Sequence, residues 1–406
     1  MRAIIQLGSA LLVLGACTEM KDGIEGTQSL QVELVSPASG GSATQRLMDN
    51  QRTVTINVTA LGPDGEVDTA FDRDVQVYAQ FLGTLTPSLS ESPLTAFRVT
   101  GGKATGKTVT LPLAYGPTTL WIDDGKSADP TFATGTSPTL WYRDPFISDL
   151  QTPRSETALD ALSSIPLENK QVTVNTSRYA ARGRFVVTSV FSQGYTVSDV
   201  QCADESGTPP CTAQSYDHAM IFSFSAPRGT HGEAIVQGQT IQGFSGGVAE
   251  FNGLTELGFP RTYTSENEQV NKAREPQPVV ADLETTVTPE TWFDPLSAPG
   301  GGVINFERNE AGLIQINNAK VCDVTNDNDY KTYKQWKLDP AGVGGNCMGN
   351  RRVINVITAG TVSEIDPPSL VGRTFAKVVG VLRPVNIGTF NVWIIYPRSS
   401  ADLVLQ

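Results

Sequence analysis

The sequence predicts an all-β protein built of several small domains. Its 406 residues are enough for two to four domains, each with its own core. Charged residues make up only 18% of the chain, against 38 glycines and 25 prolines, and this composition favours short strands joined by turns. Many short segments alternate apolar and polar residues, which is the period of a half-buried strand. Their grouping predicts a β-sandwich followed by two small β-barrels.

The first seventeen residues predict an exported chain. Arg2 provides a short positive region, and residues 4–14 form an apolar stretch that is too short to span a bilayer. The stretch ends at residues 14–17 (LGAC), which resemble the lipobox of bacterial lipoproteins. In that family the signal peptide, here residues 1–16, is removed and the cysteine, here Cys17, is acylated. Acyl chains contribute about 0.8 kcal/mol per buried CH₂, so several of them form a durable anchor. The alternative is an ordinary signal peptide with an incidental Cys17.

The residues after the cysteine bear on location. Thr18, rather than an aspartate, follows Cys17, which resembles lipoproteins sorted to the outer membrane. The resemblance leaves open whether the chain occupies the periplasmic or the surface face. Residues 17–29 are mostly polar and predict a tether. No later apolar run approaches the length of a membrane span, so we expect membrane contact through the lipid anchor.

Residues 30–143 predict the β-sandwich. Leu30, Val32 and Leu34 alternate with polar neighbours. Further strand-like segments follow at residues 53–60, 75–81, 95–100, 108–113 and 118–122. Glycine or proline separates them, and short strands at this spacing indicate a sandwich. The pattern, with residues 114–116 (AYG) leading into 120–122 (LWI), resembles the bacterial immunoglobulin-like modules of surface proteins.

Two further β-rich segments predict the barrels. Residues 144–164 form a connector with a helical patch at 157–162, and the first β-rich segment follows at 165–265. A charged, proline-bearing linker at 266–299 precedes the second, at 300–406. Each segment has about five strand-like stretches, with a late pair after a longer interruption. This number and arrangement of strands is typical of a small Greek-key barrel.

The end of the chain resembles the final hairpin of OB-fold domains in bacterial extracellular nucleases and surface lipoproteins. There, a glycine-bearing strand pairs with an aromatic strand that ends in proline, arginine and a later aspartate. The corresponding positions are Gly380, Trp393, Pro397, Arg398 and Asp402. Residues 246–259 (GGVAEFNGLTELGF) resemble the matching region of a divergent preceding copy. The resemblance implies tandem OB-like domains and no catalytic residues, because the chemistry of those nucleases lies in a separate domain.

Cysteine usage fits export. Apart from Cys17 the chain has four cysteines: Cys202, Cys211, Cys322 and Cys347. An even number in an oxidising compartment predicts disulfides, and three pairings are allowed. We favour Cys202–Cys211 and Cys322–Cys347, because each bond closes a loop inside one predicted domain. The chain has no CxxC motif and only two histidines, which argues against a structural zinc site.

Two matches to enzyme motifs lie in the wrong context. Residues 101–108 (GGKATGKT) fit the P-loop pattern, but the β-branched TVTLP run follows where phosphate binding needs a helix. Residues 243–247 (GFSGG) fit the nucleophile elbow, which needs a later histidine, whereas His218 and His231 both precede Ser245. We therefore expect no catalytic residues and no nucleotide or other cofactor, and a hydrolase is the third alternative.

Two sets of polar residues are expected to have no catalytic or metal-binding role. Asp217 and His218 are adjacent, and adjacent strand residues face opposite sides, so we expect a solvent-exposed histidine near a loop. Asp323, Asp327 and Asp329 offer oxygen ligands for calcium, but the spacing lacks the glycine and glutamate of an EF-hand loop. An ordinary polar turn and no metal site are expected there.

The charge distribution points to the last segment as a binding surface. Residues 315–406 hold ten Lys or Arg and seven Asp or Glu, a net +3 that leaves −15 on the rest of the chain. Single-strand binders combine basic grooves with aromatic platforms. Eight residues are candidates for such a surface: Lys334, Trp336, Lys337, Arg351, Arg352, Trp393, Tyr396 and Arg398. The alternative is that Trp336 and Trp393 belong to the barrel core.

The leading hypothesis is a non-enzymatic, lipid-anchored envelope protein that acts as a binding or structural module. Its expected partners are the membrane, through the lipid, and a nucleic acid, a glycan or an envelope protein. The net charge of −12 argues against a general nucleic-acid coat. The second hypothesis is binding of single-stranded nucleic acid or oligosaccharide by residues 300–406.

Overall fold

The computed structural model describes most of the chain after residue 25. The described residues are 26–27, 29–82, 92–125, 132–156, 164–266, 270–281, 302–340, 342, 345–347, 353–387 and 390–406. Strands account for 45% of the residues and helices for 9%, so the predicted all-β class is confirmed. The predicted signal peptide, Cys17, the predicted helical patch at 157–162, Arg351 and Arg352 lie outside the described residues.

The chain forms two compact units, Met1–Arg143 and Asp144–Gln406. Short helices are present only in the second unit among the described residues: α1 (Ile147–Gln151), α2 (Gly302–Glu307) and α3 (Asn328–Tyr333). In the same described part of the chain, no helix has the length and apolarity needed to cross a bilayer.

The first unit contains two antiparallel sheets. Its strands are β1 (Ser29–Ser36), β2 (Thr53–Leu61), β3 (Arg73–Phe81), β4 (Thr95–Val99), β5 (Lys103–Thr110), β6 (Pro117–Asp123), β7 (Thr134–Thr136) and β8 (Leu140–Trp141). One sheet has the order β1-β2-β5, and the other has the order β4-β3-β6-β7 with β8 beside β6. Alternate residues of both sheets, such as Ile56 and Val77, meet in one apolar core. This packing makes the unit a β-sandwich.

The P-loop-like residues lie in this sandwich. Lys103 to Thr108 belong to β5, which pairs along β2, so the lysine that a P-loop would use is followed by strand. The β-branched run after Gly106 accounts for this, because such residues favour a pleated strand over a helix.

The second unit begins with a seven-stranded sheet. Its strands are β9 (Gln171–Val174), β10 (Gly183–Phe191), β11 (Gly194–Gln201), β12 (His218–Phe222), β13 (Thr240–Ile241), β14 (Gly243–Phe251) and β15 (Leu254–Tyr263). Their order is β13-β10-β11-β12-β15-β14-β9. β13 pairs with β10, and β14 pairs with β15. Because only Gln242 separates β13 from β14, one continuous stretch of chain links these two parts of the sheet. We call residues 171–263 the first barrel.

The rest of the chain forms a second seven-stranded sheet. Its strands are β16 (Val279–Val280), β17 (Leu313–Val321), β18 (Gln335–Asp339), β19 (Ile354–Ile357), β20 (Thr374–Ile387), β21 (Phe390–Tyr396) and β22 (Leu403–Leu405). An additional pairing of β17 with β20 closes the five strands β17-β18-β19-β21-β20 into a barrel. We call residues 313–405 the second barrel. β12 pairs in parallel with β15 in the first barrel, and β19 pairs in parallel with β21 in the second.

The two hairpins singled out from the sequence form as strand pairs. β14 and β15 turn at Asn252-Gly253, which both have positive φ as a tight hairpin requires. β20 and β21 pair antiparallel, and a Cβ at Gly380 would lie 2.6 Å from the backbone of Tyr396. The glycine is therefore needed for close approach of the two strands.

Both predicted disulfides are confirmed. Cys202 is joined to Cys211, nine residues later, and Cys322 is joined to Cys347, 25 residues later. The first bond is buried against Val186 and Val200 of the first barrel.

Candidate ligand-binding surface

The two predicted ligand-binding tryptophans lie in the core of the second barrel. Trp336 is fully buried and its indole N–H lies 3.3 Å from the Thr358 hydroxyl. Trp393 is also buried and stacks on Phe306, with ring centroids 5.6 Å apart. Neither ring is open to a ligand, as the alternative interpretation of these residues expected.

Lys337, another predicted ligand-binding residue, forms ion pairs with neighbouring carboxylates. Lys337 Nζ lies 2.7 Å from Asp327 Oδ2 and 3.1 Å from Asp329 Oδ2. Asp327 also caps α3 by accepting from backbone amides, and Asp323 accepts from Thr325. These aspartates therefore serve a capped turn, and no metal-binding cluster occurs in the part of the chain that the structure describes.

The predicted arginine at position 398 joins the two barrels. Its guanidinium forms two 2.9 Å hydrogen bonds to Asp402 and lies 2.7 Å from Glu275 Oε2. It also donates to the Thr188 carbonyl of the first barrel at 3.0 Å. The fixed fork of the guanidinium suits such bidentate contacts, and the group has a structural use.

The remaining predicted residues do not gather around a groove. Lys334 is exposed over the Tyr330 ring at 5.2 Å, in the left-handed position that ends α3. Tyr396 is half-buried, with Arg383 4.7 Å from its ring centroid. The described members of the predicted surface are thus divided among core, ion pairs and separate surface positions.

The prediction of an exposed His218 is wrong. The ring lies in β12, between β11 and β15, and burial followed by the charge of Arg178 lowers its pKa to about 4. Its Nδ1 lies 2.7 Å from the Ser198 hydroxyl, and both residues are buried. Asp217 faces away toward Arg178 at 2.8 Å, so the carboxylate does not orient the histidine. The pair is a satisfied polar contact within the sheet.

An exposed aromatic surface lies instead on the first barrel. In β15, Phe259 and Pro260 together oppose the single residue Gly246 of β14, which is a β-bulge. Phe259 has φ of 50° and is 86% exposed. A Cβ at Gly246 would lie 2.9 Å from the Gly258 carbonyl, so the bulge requires glycine there. The bulge turns the phenyl ring outward.

A second phenylalanine in the left-handed backbone conformation contacts the first. Phe224 lies two residues after the end of β12, has φ of 57° and is 53% exposed. Its ring centroid lies 4.9 Å from that of Phe259 and 4.5 Å from that of Phe222. Positive φ is rare for bulky residues and costs roughly 1–3 kcal/mol at each site. Such strain is typical of functional positions, and we call the three rings the phenylalanine surface.

A cleft opens beside these rings. β12 and β15 pair in parallel as far as Phe222 and Gly258, and a bridge between Gly229 and Thr262 joins the chains again. Between these points Pro260 has no amide hydrogen to donate across the gap. The cleft has a volume of about 350 Å³, within the range of small-ligand sites. Its lining residues are Ser223, Ser225, Ala226, Pro227, Arg228, Pro260 and Thr262.

The polar groups of the cleft suit hydrogen bonding. The hydroxyls of Ser223 and Ser225 donate to each other's carbonyls at 2.5 and 3.4 Å, which leaves their oxygens able to accept. Arg228 donates to the Gly232 carbonyl at 2.7 Å. It lines the cleft and forms no ion pair with any residue that the structure describes, and a guanidinium has donors beyond the one bonded to Gly232.

Sequence reasoning missed this surface. The only signals were a Phe-Pro pair inside a strand-like segment and the Gly246-Gly247 pair that faces it. A bulge depends on the register of two strands, which periodicity does not show. The GFSGG motif is thus the partner of the bulge, with Ser245 in β14 bonded to the Tyr263 hydroxyl at 3.1 Å.

No protein-family model, no curated protein and no solved structure matches this chain.

Proposed function

We propose that this chain is a non-enzymatic, lipid-anchored envelope protein that binds a saccharide at the cleft beside the phenylalanine surface. Cys17 is the proposed acylation site, and the two disulfides are in keeping with export. The sandwich is proposed to be immunoglobulin-like and both barrels OB-like. The closed five-stranded barrel at the end of the chain supports the latter assignment.

The observation that carries the binding proposal is the pair of exposed, left-handed phenylalanines beside the cleft. A pyranose ring has a flat face of C–H groups, which packs on the electron-rich face of an aromatic ring. Phe259 offers such a face, and Ser223 and Arg228 offer an acceptor and donors for sugar hydroxyls. The two chemistries lie side by side, as a saccharide requires.

Charge favours a saccharide over a nucleic acid at this position. Residues 165–265 hold six Lys or Arg and eight Asp or Glu, a net −2. Phosphate backbones are bound by tracks of basic residues, because each contact gains from counterion release. Arg228 alone beside a stacking ring fits a ligand with few charges. Nucleic-acid binding by the second barrel remains the alternative hypothesis, although its predicted tryptophans are in the core.

The test is titration of the whole chain, with Cys17→Ser to keep it soluble, against a panel of neutral and uronic-acid oligosaccharides by calorimetry. Phe259→Ala is expected to weaken binding about tenfold, which corresponds to about 1.4 kcal/mol of lost stacking. Phe251→Ala is the matched control, because Phe251 is 61% exposed at the far end of the same hairpin. It is expected to bind like the parent.

Two outcomes would contradict the proposal. Equal affinities of Phe259→Ala and Phe251→Ala would show that the bulge ring does not contact the ligand. Binding of single-stranded DNA with no binding of any saccharide would favour the alternative hypothesis instead.

A further inference from the structure

Three glutamates meet where the two barrels touch. Glu250 lies in β14 of the first barrel, Glu307 ends α2, and Glu310 lies in the turn before β17 of the second barrel. Glu307 and Glu310 are buried. Glu250 as a whole residue is half-buried, but its Oε2 atom is shielded from solvent. Carboxyl groups brought together away from water are costly when all are ionised.

Thr255 donates hydrogen bonds to two of these carboxyls. Its hydroxyl donates to Glu250 Oε1 at 2.5 Å, and its amide donates to Glu310 Oε1 at 2.9 Å. The second oxygens of Glu250 and Glu310 are buried and have no hydrogen-bond partner among the described groups. A buried carboxylate oxygen in that situation lacks a donor, and a proton on a neighbouring carboxyl would supply one.

Other negative charges around the cluster also make ionisation of its carboxyls less favourable. Glu168 and Glu256 both raise the pKa of Glu250, in addition to the larger effect of burial. Glu307, in turn, is among the groups that raise the pKa of Tyr216. No cation within the described ranges of the chain is among the groups that shift the pKa of Glu250, Glu307 or Glu310.

Two arginines of this region, Arg383 and Arg308, interact with other carboxylates. The Arg383 guanidinium lies 4.5 and 4.7 Å from the ring centroids of Phe191 and Tyr396, and its charge lowers the pKa of Glu256. Arg308 pairs with Glu156 at 2.8 Å. Among the residues that the structure describes, the cluster therefore has no counter-ion to balance three ionised carboxylates.

We propose that Glu250, Glu307 and Glu310 form a proton-dependent latch between the two barrels. While the carboxyls hold protons, they can donate to the unpartnered oxygens and the contact is closed. When the protons leave, like charges remain in a site of low dielectric constant, and their repulsion loosens the contact.

The direction and size of the effect follow from burial. Burial, the largest cause, raises the pKa of Glu250 from 4.5 to about 7, and it raises those of Glu307 and Glu310 well above the usual range. A raised carboxyl pKa stabilises the closed state at low pH, and that stability is lost as pH rises from the solvated to the buried pKa. For Glu250 alone, the opening equilibrium grows about tenfold between pH 6 and pH 9.

The Thr255 amide reports the latch directly, because its acceptor is Glu310. Hydrogen–deuterium exchange of the whole Cys17→Ser chain, corrected for the intrinsic rate, is expected to show about tenfold or greater loss of Thr255 protection from pH 6 to pH 9. Glu310→Gln keeps an oxygen acceptor but does not titrate, so it is expected to weaken this dependence. The triple glutamine variant of the cluster is expected to abolish it.

Glu205→Gln is the matched control, since Glu205 is exposed on the first barrel, and it is expected to retain the full dependence. If a variant fails to fold, the wild-type profile and the other single variants decide the matter. Thr255 protection that changes less than about twofold in the wild type would overturn the proposal. A triple variant with the wild-type profile would also overturn it.

Discussion

Replacing Arg398 with alanine is expected to destabilise the second unit while leaving saccharide binding intact. The arginine is the counter-ion of two carboxylates, Asp402 and Glu275, and its side chain is only 14% exposed. The two carboxylates are 9% and 11% exposed, so water screens these contacts weakly. Glu275 is further fixed by the Gln237 amide, which lies 3.0 Å from both of its oxygens.

The magnitude follows from what the substitution leaves behind. Breaking a buried pair by removing one partner costs about 3–5 kcal/mol, because the remaining charges have no compensation. The Thr188 carbonyl of the first barrel also loses a donor. For a unit of this size, each kcal/mol lowers Tm by about 2–4 °C, so the expected fall is about 6–20 °C.

Calorimetric unfolding of the wild type, Arg398→Ala and Lys331→Ala tests this expectation. Lys331 is an exposed cation in α3, and its loss is expected to change stability by less than about 0.5 kcal/mol. Saccharide affinity is to be measured below the transition, where Arg398→Ala should match the wild type. Equal melting of all three proteins would refute the structural role. Loss of nucleic-acid binding at unchanged stability would restore Arg398 to a ligand-binding surface.

Three further predictions concern covalent bonds and close packing. Clickable fatty acid should label the wild type in cells, and equal label on Cys17→Ser would refute acylation at that residue. Replacing Cys322 and Cys347 with serine should lower the free energy of unfolding by about 3.5 kcal/mol, and replacing Cys202 and Cys211, which close a shorter loop, should lower it by about 2.6 kcal/mol. The reverse order in denaturant titrations would contradict the loop-entropy argument. Gly312→Ala should lower the free energy of unfolding by about 1–3 kcal/mol, because a Cβ there would lie 2.5 Å from the His218 ring. Gly258→Ala serves as the comparison in the same titrations, since Gly258 has open space around it.

The fold was predictable where local pattern determines it. Alternation at Val54, Ile56 and Val58 placed a strand, because one face of β2 packs into a core. The disulfides followed from short loops. Closure of the second barrel was less accessible, because β17 and β20 pair residues more than fifty positions apart. No turn or period records such a pairing.

The outcome for the predicted ligand-binding residues, and the position of the phenylalanine surface, were harder to predict, for three reasons. Trp336 and Trp393 have the same composition signature whether they fill a core or line a groove, and only the closed barrel distinguishes these cases. Arg398 was singled out as a cation, but its use depends on Glu275 and Thr188, which are distant in sequence. The outward position of Phe259 depends on a register shift between two strands.

Under the proposed function, the bulge at Phe259 separates ligand recognition from stability. Its ring contributes almost nothing to the barrel core, since the alternation of buried residues resumes on both sides of it. Substitutions at this one position would therefore alter what the surface recognises without disturbing the hydrogen-bonded ladder that surrounds it. A barrel arranged in this way can change its ligand through single replacements, and selection on binding and selection on folding can proceed largely independently.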